Sequence, residues 1–186
     1  NYVKFDFWGS TYKFSKNNTL ANILINVDFN KAEKSNIIST QFKLDRCLIP
    51  CDGFYFWKNF SKKEKTPYYF QYTKEKLIYC VGIRETFQDF SGNSFKYFYF
   101  LTDQSTEKWK KFTPKIPILF DIRYLDIWFS KTTSINKISS FINPIKFDDF
   151  NFYTVSPYFE NNNRDDISLI NPSNNLNQYG NYSLFD

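Results

Sequence analysis

Any chemistry in this 186-residue chain has to be done without histidine, because the sequence contains none. That removes Ser–His and Cys–His nucleophile pairs and every imidazole-ligated metal site. Proton transfer falls instead to carboxylates, lysine, tyrosine or cysteine. Three cysteines are present, Cys47, Cys51 and Cys80. Cys47 and Cys51 stand four positions apart, but no second pair completes a tetrahedral zinc set. An odd count without a regular framework argues against a disulfide scaffold and for a reducing, intracellular compartment. The thiols read as buried, unoxidised strand residues. No metal and no cofactor is expected.

Aromatic side chains make up 22% of the chain, with 23 Phe, 14 Tyr and 4 Trp. Planar rings are stacking platforms for nucleic-acid bases. The competing reading is codon usage, since Phe, Tyr, Asn, Lys and Ile are the residues an AT-rich genome favours, and most of the excess is assigned to it. The net charge of +5 is a mild basic excess, compatible with a polyanionic partner without requiring one. Lys62, Lys63 and Lys65 read as a solvated loop, with DNA contact as the alternative. There is no Met, so Asn1 is not an initiator and an upstream segment is expected before it. No apolar stretch is long enough to span a bilayer, and no charged-then-apolar leader opens the chain. A monomer without membrane contact, cytoplasmic or nucleoid/nuclear, is expected.

The elements that must position these side chains are mostly strands. Residues 24–27 are a short strand-like run, and 30–43 are polar with spaced Ile37, Ile38 and Phe42, predicting one or two short helices. Cys47-Leu48-Ile49 leads through a turn at Pro50-Cys51-Asp52-Gly53 to Phe54-Tyr55-Phe56-Trp57. Alternation puts the two Phe of that run on one side and Trp57 on the other. Residues 67–72 and 77–84 read as a hairpin, and Ser91-Gly92-Asn93 as a turn before the strand 95–101. Residues 102–112 read as a helix with Thr106 as N-cap. Residues 116–120 read as a strand, and Asp121 as the cap of a helix carrying Leu125 and Trp128 on one face. Residues 135–142 read as a short helix and 150–155 as the last strand. The sum is an α+β, β-rich single domain with a curled, mostly antiparallel sheet and short peripheral helices. It is expected to cover residues 1–172, followed by an irregular Asn-rich tail at 173–186.

Several short motifs occur in a telling order. They are Trp8-Gly9 with Phe14, then Asn26-Val27-Asp28-Phe29-Asn30, then Arg46-Cys47-Leu48-Ile49-Pro50-Cys51-Asp52-Gly53-Phe54-Tyr55-Phe56-Trp57. Val81-Gly82-Ile83-Arg84-Glu85, Leu101-Thr102, Thr113-Pro114-Lys115-Ile116-Pro117 and Val155-Ser156 follow. The series resembles the SRAP family (SOS response-associated peptidase). Its pattern runs Trp-Gly-aromatic, Asn-Ala-Arg-x-Glu, Arg-Cys-Leu-Ile-Pro-x-x-Gly-Phe-Tyr-Glu-Trp, Ala-Gly-Leu-x-Glu, Thr-Thr, His-x-Arg-Met-Pro and Val-Ser. The run 46–57 matches best, with one family-defining position changed, and the likeness extends from Trp8 to Pro172.

The resemblance implies a protein that binds single-stranded DNA in a groove and reacts with abasic sites in the DNA-damage response. In the family, a Cys exposed after removal of the initiator Met supplies an amine that attacks the sugar aldehyde. Its thiol then closes a thiazolidine ring, and the same Cys performs self-cleavage of the leader. A Glu and a His manage the proton transfers and an Asn positions the reacting groups. Position by position, the Asn is Asn26, the Glu is Phe56 and the His is Thr113. Neither Phe nor Thr shuttles a proton near neutral pH. The Arg of Asn-Ala-Arg, which meets DNA phosphate in the family, is Asp28, a charge repelled by a polyanion. The Arg of His-x-Arg-Met-Pro is Lys115, which keeps the charge and loses the bidentate fork. The reactive Cys is expected upstream of Asn1.

Each of these positions also has a plainer reading. Asn26 is the positioning amide or a strand-end residue capping local backbone. Trp8 stacks on a base or fills a core. Lys115 holds a phosphate or is a solvated surface lysine. Phe56 makes the old Glu position apolar and fills the core. Three functions stay open. One is a diverged module that binds single-stranded or abasic DNA through Trp8, Asn26 and Lys115, with impaired or absent crosslinking. Another is an active crosslinking enzyme in which Glu85, Asp52 or Tyr55 stands in for the missing acids. The third is a non-catalytic interaction protein or decaying paralogue.

Overall fold

Alternating apolar residues, rather than helical periodicity, dominate this sequence, and strands follow from that alternation. The computed structural model describes residues 5–9, 25–30, 43, 45–61, 65–74, 77–88, 91–160 and 164–174. Among them the strands are β1 (Phe7–Trp8), β2 (Asn26–Asp28), β3 (Arg46–Cys51), β4 (Gly53–Asn59), β5 (Lys65–Tyr72), β6 (Ile78–Gln88), β7 (Ser94–Gln104), β8 (Lys115–Phe120), β9 (Ile142–Pro144) and β10 (Phe150–Thr154). The helices are short: α1 (Leu125–Phe129), α2 (Ile135–Ser139) and several single 3-10 turns. The chain falls into two compact units. One comprises Asn1–Pro50, Tyr79–Gln104 and Lys115–Ile145, and the other Cys51–Ile78, Ser105–Pro114 and Lys146–Asp186.

The first unit is built on a seven-stranded sheet with β7 at its centre. Antiparallel β6 lies along β7 from Gly82↔Phe100 to Gln88↔Ser94, and β8 takes over at Thr102↔Pro117. Two short strands add in parallel, β1 at Trp8↔Phe98 and β2 at Asn26↔Phe100. Gly92, with φ of +83°, makes the turn between β6 and β7, a backbone conformation that costs glycine nothing. Alternate residues Val81 and Ile83, Tyr99 and Leu101, Ile118 and Phe120 point to one side, joined by Val27, Trp128 of α1 and Ile138 of α2. Burying each large side chain of this set contributes about 1.5–3 kcal/mol. Asp121 accepts the Arg123 N–H and starts the turn leading into α1, and Ser134 accepts the Lys137 N–H at the start of α2. Buried Arg46 donates to the carbonyls of Trp128 at 2.6 Å, Ser130 at 2.5 Å and Lys43 at 3.2 Å. It thereby satisfies carbonyls at the C-terminal end of α1, which the helix leaves without partners.

The second unit is built on the three-stranded sheet β10-β5-β4, antiparallel throughout. In β4 the alternation is realised as expected. Phe54 and Phe56 turn to one side, where Phe56 meets the rings of Phe70 and Trp109 at 5.6 and 5.8 Å. Tyr55 and Trp57 turn to the other and share Phe159, with Tyr55 stacked on it at 4.3 Å. Gly53 opens β4 because a Cβ there would lie 2.4 Å from the Phe70 carbonyl oxygen.

The α+β class, the excess of strands and the mostly antiparallel pairing agree with the sequence reading. Three local expectations are corrected. Residues 67–72 and 77–84 are not a hairpin: β5 pairs with β4 and β10, while β6 joins the other sheet. Residues 102–112 are not one helix, because Thr102, Asp103 and Gln104 pair with Pro117, Ile116 and Lys115. Only Trp109–Lys111 makes a 3-10 turn, and its N-cap is Lys108 rather than Thr106. The helix expected over 135–142 stops at Ser139, since Ile142 pairs with Phe120. The helices expected in 30–43, Lys62 and Lys63, and the tail from 175 to 186 lie outside the described residues.

Candidate nucleic-acid interface

Register along β7 sorts its neighbours onto two faces, because side chains alternate along a strand and paired residues share a side. Tyr99 and Leu101 turn into the core. Phe98, Phe100, Thr102 and Gln104 therefore turn to the opposite face. Their partners turn with them: Trp8 beside Phe98, Asn26 beside Phe100, Asp28 beside Thr102, and Lys115 beside Gln104. The side-chain contacts agree. Trp8 meets Phe100 edge-on at 5.3 Å, and the Gln104 amide donates to Asp28 Oδ2 at 3.2 Å. Three residues far apart in sequence, Trp8, Asn26 and Lys115, thus occupy one face of one sheet. Six residues of β7, about 20 Å of strand, separate the level of Trp8 from that of Lys115.

The tryptophan is 56% exposed, so it is not a core residue. Its Nε1 donates to the Ile25 carbonyl at 2.9 Å, which holds the indole while its ring stays open to solvent. Asn26 is half-buried on β2. Asp28 is 6% exposed, and Lys115 Nζ stands 3.6 Å from its Oδ2. A second cation of this face, Arg84 beside Phe98, is engaged in the same way. Its guanidinium donates to both carboxylate oxygens of Asp6, whose side chain is 7% exposed. The hydrogen bond to Asp6 raises the Arg84 pKa. Arg84 and Lys115 are therefore compensated by carboxylates, while Lys96, two residues before Phe98 on the same side of β7, is exposed. Residue-by-residue reading treated Asp28 only as a lost Arg and missed its pairing with Lys115 and Gln104. The signal was the opposite signs at the two positions matched to family arginines.

Phe56 and Thr113 belong to the second unit. Both adjoin Trp109, Phe56 through its ring and Thr113 through its N–H to the Trp109 carbonyl at 3.0 Å. Trp109 is fully buried among Phe70, Phe147 and Phe150. The position matched to the family Glu is thus half-buried, packed against the aromatic core around Trp109.

Two of the candidate substitute acids, Glu85 and Tyr55, have partners of their own. Glu85 is buried and accepts a hydrogen bond from Tyr99, on the core face of the first sheet and away from Asn26. Tyr55 lies on the face of β4 opposite Phe56, and burial, then Asp52, pushes its phenol pKa up. Cys47 packs by Gly82, and burial raises its thiol to about 12, a poor nucleophile at neutral pH. Among the described residues no group of three His, Cys, Asp or Glu side chains is placed to hold a metal ion, and no helix is long and apolar enough to cross a membrane.

Comparison with known proteins agrees with this architecture. The protein from Bacteroides thetaiotaomicron has the same fold at a TM-score of 0.76 and 16% identity, over 90% of this chain and 75% of that one. A phage-related protein from Bordetella bronchiseptica aligns at a TM-score of 0.59 and 17% identity, over 80% of this chain and 68% of its own. In sequence, the chain is 22% identical to the abasic site processing protein YoaM of Bacillus subtilis, covering 91% of this chain and 75% of the relative. It is 24% identical to the abasic site processing protein YoqW of Bacillus phage SPbeta, covering 90% and 71%. The family model for SOS response associated peptidases (SRAP) matches residues 2–162. That match takes in both sheets and every motif from Trp8 to Val155, and the chain belongs to the SRAP family.

Proposed function

We propose that this protein binds single-stranded or abasic-site DNA on the aromatic, polar face of its seven-stranded sheet, with little or no crosslinking chemistry of its own. The observation that carries the reading is the alignment of the exposed Trp8 with the half-buried Asn26 and Lys115 along one side of β7. Trp8 offers a ring on which any base can stack, worth about 1–3 kcal/mol per base. The Asn26 amide offers a donor and an acceptor to a sugar or base edge. Lys115 carries positive charge at the far end of the line. The names of the relatives, abasic site processing proteins, point to the same substrate. The weak chemistry is supported by Phe56 and Thr113, which hold no transferable proton at neutral pH where the family has Glu and His.

The test is fluorescence anisotropy with a labelled oligonucleotide, single-stranded and with one abasic site, at low and moderate salt. Wild-type protein should bind both and weaken with salt, and Trp8→Ala should bind roughly tenfold more weakly, the loss of one stacked base. A denaturing gel of the same mixtures should show little covalent product. Absence of binding at either salt, or equal binding to an unrelated polyanion such as dextran sulfate, would remove the proposal.

A further inference from the structure

We propose that Asp28 is a built-in brake on anion binding: it holds the Lys115 ammonium in an internal ion pair and so lowers the affinity of the sheet face for a phosphate backbone. The inference rests on the DNA-binding reading above and identifies what limits it. Asp28 sits on β2 with its carboxylate almost fully withdrawn from water. A buried carboxylate persists when a cation and hydrogen-bond donors compensate it. Gln104 donates to Oδ2 at 3.2 Å, and Lys115 Nζ lies 3.6 Å from the same oxygen. The lysine side chain itself is 36% exposed. Its ammonium can therefore reach solvent, but it spends its charge inward.

A phosphate arriving at Lys115 meets two obstacles. It must compete with Asp28 for the ammonium, and it must approach the carboxylate's own negative charge. Asparagine at position 28 would remove both. Its amide oxygen can still accept from Gln104, and it has nearly the same shape, so the strand register is kept. Lys115 would then lose its ion pair with position 28 on the same face as Trp8.

The experiment measures oligonucleotide binding across a salt series for wild type, Asp28→Asn, Lys115→Gln and the double variant, with thermal melts to establish that each folds. Asp28→Asn should bind severalfold more tightly at low salt, and its log–log salt slope should steepen by about 0.7, one added phosphate contact on a single strand. The double variant should return to wild-type affinity and slope. Lys115→Gln alone should weaken binding, because it leaves the Asp28 carboxylate uncompensated, but should lower the slope by clearly less than about 0.7, because the wild-type lysine is already engaged by Asp28. A slope loss of about 0.7 in Lys115→Gln would show instead that Lys115 already serves phosphate, and would overturn the brake. So would an Asp28→Asn protein that binds no more tightly than wild type, or a gain that survives in the double variant. If neither wild type nor any variant binds, the DNA reading falls with it. Wild-type binding together with an unchanged Asp28→Asn sinks the brake alone.

Discussion

At the scale of single residues, two acidic groups with raised pKa values predict a loss of stability in alkali. Burial raises Cys47 from 9.0 to about 12, with Arg84 pulling the other way. Burial, then Asp52, raises Tyr69 from 10.0 to about 12. Both are acids held neutral in the folded state. Their contribution is complete below the unfolded pKa and is lost as pH rises toward the folded one. Unfolding free energy from urea titrations should therefore fall above pH 9, by about 1.4 kcal/mol per pH unit for Cys47, with Tyr69 adding above pH 10. A Cys47→Ala variant should lose the part of that slope that begins near pH 9; an unchanged profile would contradict the assignment. Gly53 is a second sensitive residue. An added Cβ meets the Phe70 carbonyl oxygen at 2.4 Å and the Tyr69 ring at 2.7 Å, neither of which can move without shifting β5. Gly53→Ala should cost about 1–3 kcal/mol by denaturant titration.

At the scale of elements, β4 shows how one alternating strand serves two sides. Its Phe54/Phe56 side belongs to the aromatic core around Trp109, and its Tyr55/Trp57 side carries Phe159 and the Lys65 ammonium, which lies 3.9 Å from the Trp57 ring. A period of two makes this separation legible from four consecutive residues. It also predicts what a restored acid would do. Phe56→Glu places a carboxyl between Phe70 and Trp109, where the charged form is penalised and its pKa rises. The variant should be destabilised by roughly 2–4 kcal/mol at pH 7. It should recover part of that loss as pH falls and the carboxyl is protonated. A variant as stable at pH 7 as at pH 4 would mean that position 56 is wetter than its ring contacts indicate.

At the scale of the whole molecule, the pairings that matter are long-range. β7 gathers β1 and β2 from the start of the chain and β8 from beyond its own end, and β5 takes β10 as a neighbour. Loop closure must come before such pairings are rewarded, so refolding should be slow, in the millisecond-to-second range. Stopped-flow tryptophan fluorescence reads this directly through buried Trp109 and Trp128. Completion within microseconds would show that local contacts govern folding instead.

By itself the sequence determined the class of fold, the order of the motifs and the side each residue of β4 faces. All of these depend on residues within a few positions of one another, or on a pattern of types read in order. Only the tertiary structure decided that β5 and β6 part company and that residues 102–104 extend a strand. Local propensity for a turn or helix is weak, and pairing with a distant strand overrides it. The same holds for the face that joins Trp8, Asn26 and Lys115. Asp28 and Lys115 are near neighbours because β2 and β8 both pair with the end of β7. Register, with its period of two, put their charges on one side of the sheet.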